Sequence, residues 1–506
     1  MKTVGRSAEA SRRGAAAVVL VVLVALALRL VGRLDSGLWF DEIWSLVEVG
    51  RAPLATVVGS FPTDNHHPLY NLLAWLAVRL FGESAWAWRL PAVLFGALSV
   101  GALLHYARRV TGRREAWLAT ALLATSYHHV WFSQNARGYT MLLFFTLAAT
   151  ALWEELDAGR GGRGRLAGYA AASALAAYAH LTAAVVAAAH LATSGLRRLA
   201  ARRAGASSPP AGSWRLPLAA AGLAAAVALV LYAPMLDEMA SFLSRRRVIG
   251  DASVVVPAAH VESAWTSLGW AVGETARSLG LGLVVGLVAL AAGGAVLAAG
   301  AVSYAREAPR RLVAWTLPGA LLAVALVALG RNFWPRFFFL LAGFVLLLLA
   351  RGWLRVARAV APRRFARERV ERTAAVVLWL AWTALLPRAW ALPKQDFEGA
   401  RDHLAAIRRP GEAVATVGLA TMPYRDYYAT GYVAVRSVAE LAALERRASG
   451  VYVVSTLAEY LESRKPELAA ELAARGRPIA RFRGSVGGGD VVVYRLAPAA
   501  AGGSAR

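Results

Sequence analysis

The chain alternates between apolar runs of nearly bilayer length and short arginine-rich connections. A helix rises about 1.5 Å per residue, so about 20 apolar residues cross the hydrocarbon core. Such runs lie near residues 14–33, 88–107, 115–131, 138–156, 166–180, 182–196, 216–236, 279–302, 312–330, 335–353 and 372–391. A further stretch, Pro68–Phe81, is several residues short and carries Asn71 and Arg79. From about residue 392 the pattern changes to short apolar runs between charged residues. Val414–Val417, Val433–Val435, Val451–Val454 and Val491–Tyr494 read as strands, the last after a turn at Gly487–Gly489. The Ala/Leu/Glu-rich pieces 438–448 and 457–475 read as helices. The expected fold is therefore a polytopic α-helical membrane protein with a small C-terminal α/β domain. The division falls at 1–391 and 392–506. The Ser/Pro/Gly patch at 204–213 reads as a linker and 497–506 as a disordered end.

Charge decides the topology. The formal net charge is +25, and most arginines cluster between apolar runs rather than over a soluble basic face. That placement is what positive-inside sorting produces, so anionic headgroups of a lipid bilayer are the expected partner and nucleic acid is not. If Pro68–Phe81 lies on the outer surface as a juxtamembrane helix, about eleven helices cross the membrane and the arginine-rich loops share the cytoplasmic side. If it crosses, every later cluster flips outward. The surface helix is the better reading. It leaves three segments outside: 34–87, 237–278 and the tail, which makes the α/β domain extracytoplasmic. The expected location is a bacterial cytoplasmic (inner) membrane, multi-pass. The first run is long for a signal peptide, and no small-x-small site precedes Arg29 and Arg33, so it reads as an uncleaved span. The chain has no cysteine, which excludes disulfides and thiolate metal sites.

Candidate chemistry gathers on the outer side. Asp41 and Glu42 stand in Leu38-Trp39-Phe40-Asp41-Glu42-Ile43-Trp44, just beyond the first run. Carboxylates ringed by aromatics at a bilayer surface are costly to place, and one such group can take a proton from a hydroxyl. They can equally cap a helix or pair with an arginine such as Arg89. Adjacent side chains point apart in a helix or a strand, so one of the two at most is the base. Asn65-His66-His67-Pro68 lies in the same loop, with Pro68 suited to a first helical turn. His66 and His67 then bond phosphate or sugar, share a metal with Asp64, Asp41 or Glu42, or simply sit among headgroups. Their adjacency lacks the i, i+4 spacing of a helical metal pair, so no metal or other cofactor is expected.

Arg137, in the short outer connection Ser133–Tyr139, sits where a lipid-linked phosphate would lie, and guanidinium geometry suits phosphate oxygens. Arg331 and Arg336 flank another short outer connection, and Arg245-Arg246-Arg247 breaks the charge bias in the middle loop. For each of these cations snorkelling to the headgroups competes with phosphate binding. His180 lies in a tight outer turn, as a packed histidine or a ligand.

The order of these motifs resembles the bacterial membrane glycosyltransferases of the C superfamily, in particular the protein O-mannosyltransferase-like (family 39-like) group. The residues that carry it are Leu38–Trp44 and His67-Pro68-Leu69-Tyr70. With them stand Arg89-Leu90-Pro91 before Leu94-Phe95-Gly96, and Tyr127–Tyr139 with its Ser133-Gln134-x-Ala136-Arg137-x-Tyr139 core. Tyr178-Ala179-His180, Arg336 before an apolar run, and Arg401-Asp402-His403-Leu404 ahead of Pro410-Gly411-Glu412 complete it. The chain departs from the group's common pattern at Leu69, often proline, and at Asn135, often glutamate. The second departure removes an acid beside Arg137.

The resemblance implies inverting transfer of a sugar from a polyprenyl-phosphate sugar donor to a hydroxyl on a lipid, glycan or protein acceptor, at the outer face. Asp41 would be the base and Glu42 its neighbour. Arg137, Arg331, Arg336, His66 and His67 would hold the donor phosphate. Tyr70, Gln134, Tyr139 and His180 would position substrate. A transporter or flippase for a lipid-linked anionic saccharide is the alternative, although the runs carry few ionisable residues at mid-depth and show no two-half symmetry. A structural or sensory protein with a partner-binding tail is the third reading.

Overall fold

The computed structural model describes residues 2–32, 34–62, 66–203, 214–244, 282–329, 333–362 and 364–497, with Arg331 and a few positions within 269–276. Arg245–Arg247, Asp64 and Asn65 lie outside the described residues. The chain packs as two compact units. One contains the chain up to Leu34, Leu54–Ser244 and Thr275–Ala389; the other joins Asp35–Pro53 to the chain from Trp390 onward. The segment bearing Asp41 and Glu42 thus groups with the tail.

In the first unit every long apolar run is helical. Six helical stretches are long and apolar enough to cross a membrane: Ala85–Val110, Arg215–Phe242, Leu283–Glu307, Pro309–Ala328, Pro335–Val360 and Arg367–Ala391. Leu80, Val230, Val284 and Val360 are 73–77% exposed, which water would penalise and hydrocarbon would not. This is a membrane protein. The other runs form shorter or more charged helices. Tyr139–Asp157 ends in Glu154, Glu155 and Asp157. The run at 115–131 is not continuous: it is Arg113–Ala124 followed by Tyr127–Ser133. The break falls where Ser126 caps the second piece, its Oγ accepting from the His129 N–H at 3.3 Å. Pro68–Phe81 is a helix with proline in its first turn, ended by Gly82 at φ +85°.

Among the arginine-rich ends, several side chains are engaged rather than lying open to headgroups. Asp157, fully buried, accepts from Arg310 at 2.7 Å, Ser194 at 2.7 Å and Arg197 at 3.2 Å. Glu371 takes Arg114, Arg358 and Arg367. These pairs fasten helix ends together.

The tail of the second unit holds a five-stranded sheet in the order β2-β1-β3-β5-β4. β1 (Glu412–Val417) pairs in parallel with β2 (Val433–Val435) and β3 (Gly450–Thr456), whereas β5 (Val491–Leu496) runs antiparallel to β3 and to β4 (Gly476–Phe482). The sheet buries Val417, Val451, Val453 and Leu496 against Leu441, Leu461, Leu468 and Leu472 of its helices. The α/β character follows from the valine runs. The single helix expected at 457–475 is two, Ala458–Arg464 and Pro466–Arg475, because Pro466 cannot continue the first.

Candidate active site

Pro68 starts a helix and leaves His67 as the residue before it, buried with its ring turned inward. The His67 Nδ1–H donates to the Ala179 carbonyl at 3.0 Å. A carbonyl only accepts, so Nδ1 carries the proton and Nε2 is a bare acceptor. His180 has the opposite tautomer. Its Nδ1 accepts from the Thr182 N–H at 3.2 Å, which leaves the proton on Nε2. His66 Nδ1 faces the Asn71 amide at 3.3 Å and accepts from it, so its Nε2 is also a donor. The Nε2 atoms of His66, His67 and His180 are buried with no hydrogen-bond partner among the described residues. Three buried polar atoms in one neighbourhood, each able to bond, mark a site built for something polar.

Tyr139 closes the cluster. Its ring centroid lies 5.0 Å from that of His67 and 5.5 Å from that of His180, while the two imidazoles are 4.9 Å apart. The Gly138 backbone passes so close that a Cβ there would meet Ala179 O at 2.7 Å and His67 Nδ1 at 3.1 Å. This close approach brings Arg137 alongside. Arg137 is 4% exposed, and its charge bears on His66, His67 and His180. Burial, and then that charge, push the His66 pKa down to about 3, while burial, then His180 and then Arg137 hold His67 well below the usual imidazole range. All three rings are accounted for as neutral hydrogen-bonding groups around one buried guanidinium.

Arg336 also bears electrostatically on His180, and the next residue, Phe337, packs on that imidazole at 5.3 Å. Arg331 stands at the end of an aromatic chain. It lies over Phe242 at 4.7 Å; Phe242 packs on Phe61 at 5.8 Å, and Phe61 on His66 at 5.9 Å. Arg331, Arg336, His66, His67, Arg137, Tyr139 and His180 therefore belong to one connected neighbourhood of the first unit.

Two expected positioning residues make bonds that brace helices. The Tyr70 hydroxyl donates to the Trp88 carbonyl, bracing Pro68–Phe81 against the next helix, and the residue is fully buried. Gln134 donates to the Arg29 and Val31 carbonyls at 2.9 and 2.7 Å, where it holds the end of the first helix.

Sequence reasoning missed the surroundings of Arg29. This arginine is fully buried and donates from Nε to Ser133 Oγ at 3.0 Å and from a terminal nitrogen to His129 Nδ1 at 2.5 Å. His129 Nε2 then bonds Ser99 Oγ at 3.0 Å. An arginine one turn from the end of an apolar run was the available signal.

In the second unit, Asp41 and Glu42 open the short helix Phe40–Ser45. Glu42 is fully buried, and its Oε2 accepts from the Trp39 N–H at 3.3 Å, the reach-back bond of a helix cap. Asp41, one position earlier, is partly exposed. The pair thus divides into a capping acid and a more accessible one. Among the described residues no group of three or more His, Cys, Asp or Glu side chains is arranged to hold a metal ion.

Residues 65–236 match the family described as dolichyl-phosphate-mannose-protein mannosyltransferase. The span takes in His66, His67, Arg137, Tyr139 and His180 but neither Asp41 nor the tail. No curated protein matches the chain. The apo crystal structure of ArnT from Cupriavidus metallidurans superposes over 96% of this chain and 98% of its own, with a TM-score of 0.54 at 14% identity. The oligosaccharyltransferase AglB from Archaeoglobus fulgidus, solved with an inhibitory peptide and a dolichol-phosphate, covers 92% of this chain and 72% of its own, with a TM-score of 0.50 at 13% identity. Those likenesses concern the fold. Residues 65–236 thus resemble a protein mannosyltransferase segment in sequence, and the chain shares its fold with ArnT and AglB.

Proposed function

We propose that this protein is an inverting glycosyltransferase that moves a sugar from a polyprenyl-phosphate donor to an acceptor hydroxyl at the outer face of a bacterial cytoplasmic membrane. In this reading about eleven helices cross the bilayer, and Pro68–Phe81 lies along its outer surface. In the same reading the tail beyond residue 391 lies outside. The observation that carries the reading is the ring of three neutral, buried imidazoles with unmet Nε2 atoms around Arg137.

A phosphate monoester is a weak base and leaves without a general acid, provided that cations and donors hold its developing charge. Arg137 supplies that charge, and Arg331 and Arg336 add to it. The Nε2–H groups of His66 and His180 donate to phosphate oxygens, and the bare Nε2 of His67 accepts from a sugar hydroxyl. Tyr139 keeps the imidazoles in place. Asp41 removes the acceptor's hydroxyl proton. The oxygen attacks the anomeric carbon from the face opposite the phosphate, the carbon–oxygen bond to phosphate breaks, and the electron pair leaves on the polyprenyl phosphate. Glu42 holds the helix that carries Asp41.

The test uses purified protein in liposomes with labelled polyprenyl-phosphate mannose or pentose and an envelope-glycan acceptor. Transfer of label to acceptor is expected. Movement of labelled lipid between leaflets without product would identify a flippase instead. Mass spectrometry of envelope glycans from a strain lacking the protein names the sugar and acceptor.

A further inference from the structure

We infer that the tail is a positioning element for the base, and that Gln395 is the residue through which it acts. This rests on the reading of Asp41 as base. Gln395 is buried, and its Oε1 accepts from the Phe40 N–H at 2.9 Å. Phe40 is the first residue of the helix on which Asp41 is second. That N–H belongs to a helix start and has no partner within the helix, so an outside acceptor fixes where the helix begins. The other end of the Gln395 amide is anchored: Nε2 donates to Thr456 Oγ1 at 3.0 Å, and that hydroxyl donates to the Gly489 carbonyl at 3.2 Å. Thr456 ends β3 and is itself buried. A continuous chain of hydrogen bonds therefore runs from the central strand of the tail's sheet to the first turn of the acid-bearing helix.

A second attachment lies three residues earlier. The Gly37 N–H donates to Glu398 Oε2 at 3.0 Å. A Cβ on Gly37 would lie 2.9 Å from that carboxylate and 2.9 Å from the Tyr428 hydroxyl, so a methyl there has to push both side-chain ends aside. Beyond the helix, Arg51 donates to the Asp426 carbonyl at 3.0 Å and lies over the Tyr427 ring at 5.6 Å. The tail grips the segment on both sides of Asp41, and the contact from Gln395 reaches Phe40, the residue next to it. A carboxylate that must meet a hydroxyl within hydrogen-bond reach is sensitive to such placement, since a misplacement of about 1 Å can cost about a hundredfold in rate.

The experiment compares full-length wild type, Gln395→Leu, Gln395→Glu, Gly37→Ala, Asp41→Asn and the Gln395→Leu/Asp41→Asn double variant. Each is assayed with labelled polyprenyl-phosphate mannose or pentose and an envelope-glycan acceptor. Gln395→Leu is expected to lower kcat about tenfold or more with the donor KM nearly unchanged. Gln395→Glu, which keeps an acceptor for the Phe40 N–H, should restore most of the rate. Gly37→Ala should reproduce the kcat loss from the other attachment. In the Asp41→Asn background Gln395→Leu should cost nothing further, because both act through one group. The inference is overturned if Gln395→Leu keeps its kcat while Asp41→Asn loses a hundredfold, if its loss persists undiminished in the double variant, or if Gln395→Glu is no better than leucine. A wild-type rate in Asp41→Asn, or no transfer by the wild type, would instead overturn the reading beneath it.

Discussion

His67 and His180 face each other with ring centroids 4.9 Å apart and with opposite tautomers, the first holding its proton on Nδ1 and the second on Nε2. One main-chain carbonyl and one main-chain N–H dictate this, so the pair offers one acceptor and one donor whatever binds. His180→Phe preserves the aromatic packing and removes the donor. A hydrogen bond to a charged group contributes about 1.5–3 kcal/mol, so the donor KM should rise by about tenfold to a hundredfold. Kinetics at saturating acceptor check this. An unchanged KM would remove His180 from the donor phosphate.

Burial holds both His66 and His67 neutral, helped at His66 by the Arg137 charge and at His67 by His180 and then Arg137, with His66 pushed down to about 3. Unfolded, they protonate near the ordinary imidazole value of about 6.5. Below that pH the unfolded chain binds more protons than the folded one, so stability rises with pH. This contribution is complete above about 6.5 and is lost as the pH falls toward 3. The unfolding temperature in detergent should therefore drop between pH 7.5 and pH 5.5, and by less in the His66→Asn/His67→Asn double variant. Equal drops would mean that these imidazoles titrate normally in the fold.

Much of the architecture was legible because membrane helices must be apolar for their whole length. The runs are largely helical where the structure describes them, and six stretches are long and apolar enough to cross a membrane. The four valine-rich strands were legible from β-branched residues in short runs. β4, Gly476–Phe482, was not: it carries Arg477, Pro478 and Arg481, a composition tolerated there because the strand lies at the sheet's edge. His66, His67, Arg137, Tyr139 and His180 stand out in the sequence as polar residues between apolar runs. The bond from Phe40 to Gln395 was beyond reach, since 355 residues separate its ends and neither carries a charge. The arginine-rich connections were read only as a sorting signal, although Arg197 and Arg310 serve the buried Asp157.

Asp157 offers a contrast between stability and chemistry. Asp157→Asn would leave Arg197, Arg198 and Arg310 partly buried without their shared carboxylate. Breaking a buried pair from one side costs about 3–5 kcal/mol, so the yield of folded protein and its unfolding temperature should fall clearly. The kcat of the surviving folded fraction should stay within about twofold, because the site lies elsewhere in the unit. A specific loss of kcat at full stability would show that this cluster takes part in turnover.

Gly138 tests how tightly the site is packed. An alanine methyl there has to displace the Ala179 carbonyl or His67, which share a hydrogen bond. Overpacking of this kind costs about 1–3 kcal/mol. Here the displaced bond also fixes the His67 tautomer. Gly138→Ala should therefore lower the unfolding temperature and weaken donor binding together. A stable variant with full donor affinity would show that the backbone yields without moving His67.

The division of labour between Asp41 and Glu42 is the sharpest test of the proposed chemistry. Glu42 Oε2 is committed to the Trp39 N–H, and its glutamine variant keeps an oxygen that can accept the same bond. Glu42→Gln should therefore cost less than about tenfold in kcat, while Glu42→Ala loses the cap and about 1 kcal/mol of local stability. Asp41→Asn keeps the shape of the side chain but cannot take a proton. A positioned base contributes about a hundredfold to ten-thousandfold, so kcat should fall by at least about a hundredfold at an unchanged unfolding temperature. Rates measured on detergent-purified variants rank the two acids. If the order is reversed, with Glu42→Gln the more damaging, the buried acid is the base and Asp41 holds the helix.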